Sequence, residues 1–410
     1  MQLGELVEHL FRRQSGRMVA ALTAIFGARH LDLAEDVVQE ALVKALQVWP
    51  FQGIPENPQG WLIQVARRIA IDRLRREASL TAKLPELARM QRSDTAPELD
   101  DQLALMFLCC HPRIAAPARV SLTLKVAAGF SVGEIARAFL TTEDAVAQRI
   151  VRAKRQIRRE NLSMELPAPE ELPVRLDSVL ESLYLLFNEG YSSSGGDSLL
   201  RSDLCEEAVY LTSLLTKLRA PKVHALLALQ LFHVARMNAR TDASGELLLL
   251  EDQNRALWDR RLIDRAFLHL ESSAAGNELT AYHLQAAIAA EHASAESLST
   301  TNWGAIRELY EQLAECSVSP VVLLNRAVAI SRHTGAQAGW DALQPLLRES
   351  TMSNYYLRHA VEAHLLSRLE RFGAAREAWR RALDCPCNAV ERRFLERRFQ
   401  EAAVTLQYGT

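Results

Sequence analysis

Apolar residues recur at helical spacing from one end of this 410-residue chain to the other, and no run of alternating β-branched residues interrupts them. A chain with that single period has to bury its apolar stripes helix against helix. The expected fold class is therefore all-α. At this length one ordinary core does not suffice, and roughly 100–200 residues per domain implies two to four units.

The breaks in the pattern divide the chain. Residues 1–78 read as one helical segment, followed by a polar linker over 79–98 that contains Ser93-Asp94-Thr95-Ala96-Pro97-Glu98. A second segment covers 99–161. Pro167, Pro169 and Pro173 then stiffen a linker over 162–173, because proline removes a backbone donor and fixes φ. Residues 174–410 form the last segment, where helical hairpins are expected. Ala375, Trp379 and Ala382 share one helical face after Arg371-Phe372-Gly373, in the manner of the second helix of a tetratricopeptide repeat. A related pair is expected at Val321–Arg332 and Ala336–Leu347. The period is irregular, so an ordinary helical bundle stays open for this segment.

Charge separates the segments further. Residues 1–160 hold 23 Lys and Arg against 18 Asp and Glu, and the remainder holds 25 against 32. The basic front is the candidate for nucleic acid, and the acidic back suits a different partner or the front itself. No apolar run reaches the ~18–20 residues that span a bilayer, and Glu5 and Glu8 interrupt anything resembling a signal peptide. A cytoplasmic location without membrane contact is expected. Six cysteines are then expected to be reduced.

Two constellations carry the function. In the first, Asp32-Leu33-Ala34-Glu35 has the form of a capping box with Asp32 as N-cap. The helix it would open has a stripe of Ala34, Val37, Val38, Ala41, Leu42, Ala45, Leu46 and Trp49, with Asp36, Gln39 and Glu40 on the other face. Asn57-Pro58 then caps a helix rich in arginine: Arg67, Arg68, Arg73, Arg75 and Arg76. Those arginines suit phosphates. Trp61 suits either unstacked bases or a buried core position.

In the second, Ser131-Val132-Gly133-Glu134 matches a capping box and opens a short helix with Ile135, Ala136 and Phe139 inward. Leu140-Thr141-Thr142 interrupts. The next helix sets Val146, Ile150, Ala153 and Ile157 on one face, and no acid occurs from Ala145 to Arg159. A short helix, a tight turn and a basic second helix make a helix-turn-helix, whose second helix enters the major groove. Gln148, Arg149, Arg152 and Arg155 are the candidate readers of base edges and phosphates.

Taken in order, these tracts resemble the extracytoplasmic-function sigma factors over about residues 1–160. Asp32 to Glu40 looks like the polymerase-binding helix of sigma region two. Asn57 to Arg76 looks like the promoter-melting and minus-ten-reading part of that region, and the helix-turn-helix looks like sigma region four. Cys109-Cys110-His111-Pro112, Phe139-Leu140, Gln148-Arg149 and Leu186-Phe187-Asn188-Glu189-Gly190-Tyr191 resemble a subgroup with a long tetratricopeptide-like C-terminal extension.

The resemblance implies an alternative sigma factor, non-catalytic and without a cofactor. Its partners would be core RNA polymerase (β′ clamp helices and β subunit) and promoter DNA. Asp36, Gln39 and Glu40 would face the clamp helices. Trp61, Arg67, Arg68, Asp72, Arg73 and Arg76 would lie at the minus-ten element, and Gln148, Arg149, Arg152 and Arg155 at the minus-thirty-five element. The extension would regulate, by holding a protein partner or by contacting the sigma domains. In this subgroup it matters for activity, and no conventional membrane anti-sigma factor is expected. The turn lacks the glycine common in helix-turn-helices. A polymerase-independent helix-turn-helix regulator is the competing reading.

Other tempting sites are weaker on their spacing. Adjacent Cys109 and Cys110 lack the second cysteine pair of a structural zinc site, and Cys385-Pro386-Cys387 reads as a turn. The loop Glu189 to Asp197 lacks the Gly-Lys-Ser/Thr ending of a phosphate loop, so a ligand loop, a clamp on the sigma domains and a plain connection all remain open. His224 and His233 sit in an apolar tract and read as core histidines.

Overall fold

The computed structural model describes residues 3–78, 99–139, 141–191, 201–242, 244–317, 319–349 and 352–408. The linker expected at 79–98, Leu140 of the turn, and Ser192 to Asp197 of the glycine-bearing loop lie outside them. The regular structure of the described residues is helical, and their β-type pairing is the isolated bridge between Thr241 and Leu247. The chain separates into two compact units, 1–186 and 187–410.

In the first unit, α1 (Leu3–Phe26), α2 (Leu31–Gln52) and α3 (Pro58–Ala78) form a bundle. Ala41 and Ala45 of α2 and Ala66 and Ala70 of α3 are all fully buried. Alanine at successive turns lets two helix backbones approach closely. Then come α4 (Leu99–Cys109), α5 (Ala116–Val126), α6 (Val132–Ala138) and α7 (Glu143–Arg159). Gly16 joins the two groups of helices. A Cβ placed there would stand 1.9 Å from the Ala127 carbonyl oxygen just past α5, so only glycine admits this approach.

Two expectations for α2 are corrected. Asp32 is not the N-cap. A 3-10 turn at Ala28–His30 runs directly into the helix, His30 is the capping position, and no side chain bonds there. The carboxylates of Asp32 and Glu35 are instead engaged by α7, as described below. Leu46 is not in the buried stripe but 57% exposed. Position 46 follows Glu40 and Val43 around to the open face, so a stripe drawn through every apolar residue is too wide.

The Asn57 cap is present: its Oδ1 accepts from the Gly60 backbone N–H at 2.9 Å. Residues 161–171, which hold two of the three prolines of the expected linker, carry no helix. Helix α8 (Leu172–Tyr191) follows, and its first turns are fastened to the first unit. Arg175 donates to the Phe107 carbonyl at 2.9 Å, and Ser178 donates to the Cys110 carbonyl at 2.5 Å.

The second unit is a run of paired helices: α9 (Ser202–Leu215), α10 (Pro221–Ala235), α11 (Arg260–Ser273), α12 (Ala281–Ser294), α13 (Trp303–Cys316), α14 (Pro320–His333), α15 (Ala336–Leu347), α16 (Tyr356–Arg368), α17 (Phe372–Asp384) and α18 (Ala389–Tyr408). The pair foreseen at 321–332 with 336–347 is α14 with α15, and the face foreseen for Ala375, Trp379 and Ala382 lies on α17, which packs on α16. Ala375, Trp379 and Ala382 are buried in one cluster with Ala363, Leu366 and Phe394. Gly339 of α15 crosses α14 so closely that a Cβ there would meet the Ser331 side chain at 2.4 Å. His224 is half-buried, with its Nδ1 3.0 Å from Nδ1 of His269.

Candidate polymerase and nucleic-acid interface

On α2, Val37, Val38, Ala41 and Ala45 face the core. Asp36, Gln39 and Glu40 are exposed on the other side, and Val43 and Leu46 continue that face at 53% and 57% exposure. The open face of α2 is therefore acidic in its first turns and apolar in the next. Such a mixed surface suits a protein better than a nucleic acid, because phosphates repel carboxylates and apolar exposure is relieved by burial.

Arg73 of α3 reaches across to this face. Its guanidinium lies 2.8 Å from Glu40 and 3.8 Å from Asp36. The structure thus brings together one residue expected at DNA and two expected at the polymerase. Arg68, Asp72 and Arg76 are exposed along α3, and Arg67 is half-buried. Trp61 is half-buried beside Trp49, with ring centroids 5.6 Å apart. The two readings left open for Trp61 meet here, since one side of the ring is packed and part of it stays accessible.

The pair α6 and α7 is built as its sequence dictates. Ser131 Oγ accepts from the Glu134 N–H at 3.1 Å, and Glu134 returns a bond to the Ser131 N–H at 2.8 Å. Thr142 caps α7 by accepting from the Ala145 N–H at 3.2 Å. Phe139 ends α6 at φ −103°, a conformation open to any residue, so this position needs no glycine. The turn closes instead through the Thr141 N–H on the Ala136 carbonyl at 3.0 Å. Val146, Ile150, Ala153 and Ile157 are buried, which turns Gln148, Arg152 and Arg155 outward and leaves Arg149 half-exposed.

Two cations of α7 reach to the start of α2, Lys154 largely buried and Arg158 exposed, and the sequence did not distinguish them from the rest of the basic run. The Lys154 ammonium lies 2.7 Å from Asp32 and also contacts Glu35, and Arg158 pairs with Asp32. Burial raises the Glu35 carboxyl above its ordinary range despite the Lys154 charge beside it. Asp32 is less buried, and its bonds to Lys154 and Arg158 outweigh its own desolvation, so its carboxyl falls below the ordinary value. The detectable signal was position: residue 154 follows buried Ala153 on the flank of the apolar stripe.

The Cys-Cys-His-Pro tract is a structural junction. Cys109 and Cys110 are buried at the end of α4, where burial pushes both thiols up, and Cys110 Sγ lies 3.2 Å from Thr123 Oγ1. His111 Nδ1 accepts from the Arg113 N–H at 3.2 Å. Desolvation, with Arg175 and Arg113 nearby, lowers this imidazole to about 4. Gln156 of α7 donates to the Arg113 carbonyl at 2.6 Å. The junction thus ties the end of α7 and the start of α8 to one turn. Among the described residues no group of His, Cys, Asp and Glu has the arrangement of a metal site, and no helix is long and apolar enough to cross a membrane.

Comparison with known proteins adds the following. Residues 10–80 match the model of sigma-70 region 2, and residues 175–274 match a family of unknown function, DUF6596. An uncharacterized protein of Rhizobium meliloti (strain 1021) is 39% identical over 387 residues, covering 92% of this chain and 91% of its own. No solved structure matches. The chain belongs to the same family as that Rhizobium meliloti protein, and its residues 10–80 carry a sigma-70 region 2, which suggests a role in binding RNA polymerase and recognising promoters.

Proposed function

We propose that the chain is an alternative sigma factor of the extracytoplasmic-function type, acting in the cytoplasm, whose C-terminal helical extension regulates it. In this reading Asp36, Gln39 and Glu40 dock on the β′ clamp helices of core polymerase, and Trp61, Arg67, Arg68, Asp72, Arg73 and Arg76 serve the minus-ten element. The pair α6 and α7 is a helix-turn-helix presenting Gln148, Arg149, Arg152 and Arg155 to the minus-thirty-five element. Residues 1–78 and 99–161 are the two sigma regions, joined by the linker at 79–98. Residues 162–173 lead into the tetratricopeptide-like extension of 174–410.

The main support is the open face of α2. Three acidic or polar residues and two exposed apolar ones stand there in register, inside the segment that matches sigma-70 region 2. A DNA-binding regulator that works without polymerase has no use for such a face.

The test is transcription from a genomic promoter library with core polymerase and the full chain. Promoter-dependent RNA above core alone is expected, with loss of core binding in Asp36→Arg/Glu40→Arg. Core binding that survives this double change would remove the assigned docking face. DNA protection at promoters without polymerase, and no stimulated transcription, would favour the regulator reading.

A further inference from the structure

The second unit holds a half-open cavity of about 490 Å³ between α10, α12, α13, α14, α16, α17, α18 and the segment at 247–251. Pockets for small molecules span roughly 300–1,000 Å³, so this one has the right size. Its walls are mainly apolar and aromatic, with Leu229, Ile288, Trp303, Tyr310 and Phe394 among them.

Its charges are unbalanced. Arg236, Arg332 and Arg398 line the cavity against one lining carboxylate, Glu251. Glu251 is taken by Arg332. Arg398 donates to Glu401 at 2.9 Å. Arg236 has no carboxylate within ion-pair distance among the described residues, its Nε is buried without a hydrogen-bond partner, and its guanidinium is held 5.8 Å from the Trp258 ring centroid. A cation kept among aromatic walls without a counter-ion leaves part of its hydration uncompensated.

Two histidines of the lining add to this. His233 Nδ1 and His292 Nδ1 are buried and also lack partners. Burial and the nearby Arg236 keep both rings neutral, His292 at about 3 and His233 well below its ordinary value. They therefore supply polar ring nitrogens and no charge. A buried polar group without a partner is destabilising, and a ligand atom that bonds to it would offset that cost.

We infer that this cavity binds a small amphiphilic anion, with its carboxylate or phosphate at Arg236 and its planar apolar body between Trp303, Tyr310 and Phe394. The shape excludes a bare inorganic anion, which would leave the aromatic walls unfilled, and the charge excludes an amine. The inference does not depend on the sigma-factor reading, because every residue it uses lies in the second unit.

Matched probes on the full chain test it: 2-naphthoate, 2-naphthyl phosphate, 2-naphthamide and 2-naphthylmethylamine, followed by calorimetry and by the fluorescence of the wall tryptophans. At least one anion should bind at least tenfold more tightly than the amide, and the amine should not bind. The tighter anion identifies the head group. Arg236→Gln should weaken that anion at least tenfold and leave the amide unchanged, Arg236→Lys should recover part of the loss, and Ala289→Trp, on the wall contributed by α12, should abolish binding by filling the space. Circular dichroism and the thermal midpoint establish that each variant is folded. Equal binding of anion, amide and amine, binding of no probe, or an Arg236→Gln variant that is folded and binds the anion undiminished would each overturn the assignment.

Discussion

Lys154, on the basic helix α7, sets its ammonium 2.7 Å from the Asp32 carboxylate at the start of α2 and against Glu35 beside it. The side chains of Lys154 and Glu35 are 13% and 8% exposed. A pair this secluded is costly to break, because removing one partner strands the other charge. We expect Lys154→Met to destabilise the first unit by about 3 kcal/mol, the lower end for a broken buried ion pair. Adding Glu35→Gln should recover part of that loss, since the stranded carboxylate is then gone. Urea unfolding of both single variants and of the double variant gives the answer, and additive losses would show that the residues do not interact.

Gly16 sits inside α1, where a change to alanine would ordinarily add up to about 1 kcal/mol of helix stability. Here the new methyl would lie 1.9 Å from the Ala127 carbonyl oxygen. That neighbour is backbone and cannot rotate away, and overpacking costs about 1–3 kcal/mol. Gly16→Ala should therefore lower the unfolding midpoint despite the propensity gain. A raised midpoint would mean that α1 does not approach the end of α5 this closely.

These two contacts also indicate how far the sequence could be read. Local features were legible. The Ser131 and Asn57 caps, the face formed by Val146, Ile150, Ala153 and Ile157, and the α16–α17 pair all follow from interactions within a few residues. Asp32 failed for a non-local reason: its oxygen, which fits an N-cap by spacing, is taken by side chains 122 and 126 positions away. Lys154 was indistinguishable from its basic neighbours for the same reason. The cavity was invisible, since its arginines come from α14, α18 and the end of α10, and no spacing rule links residues 236, 332 and 398.

Acid should weaken the second unit. His292 titrates at about 3 in the folded chain against an ordinary value of 6.5, because burial and the charges of Arg236 and Arg255 oppose its protonation. Between those values the unfolded chain binds the proton and the folded chain does not. Stability is then complete above pH 6.5 and declines as pH falls toward 3. At pH 5 the loss from this one group is about 2 kcal/mol. The difference in urea midpoint between pH 7.5 and pH 5 should shrink in His292→Gln, and an unchanged difference would rule out His292 as a source.

The outward face of α7 separates two kinds of DNA contact under the proposed function. Arg155 is exposed late in the helix, where a guanidinium meets phosphates, and Gln148 is exposed near its start, where recognition helices meet base edges. Each neutralised phosphate contributes about −0.9 to the slope of log affinity against log salt. Arg155→Ala in the holoenzyme should therefore flatten that slope by about 0.9 and weaken all promoters alike. Gln148→Ala should leave the slope unchanged and relax the preference at one minus-thirty-five position, at a cost of about 1–3 kcal/mol on the preferred base. Binding measured from 50 to 300 mM salt on matched and singly altered promoters separates the two. The assignment of α7 fails if both variants alter only the slope, because a helix that touches phosphates alone cannot select a sequence.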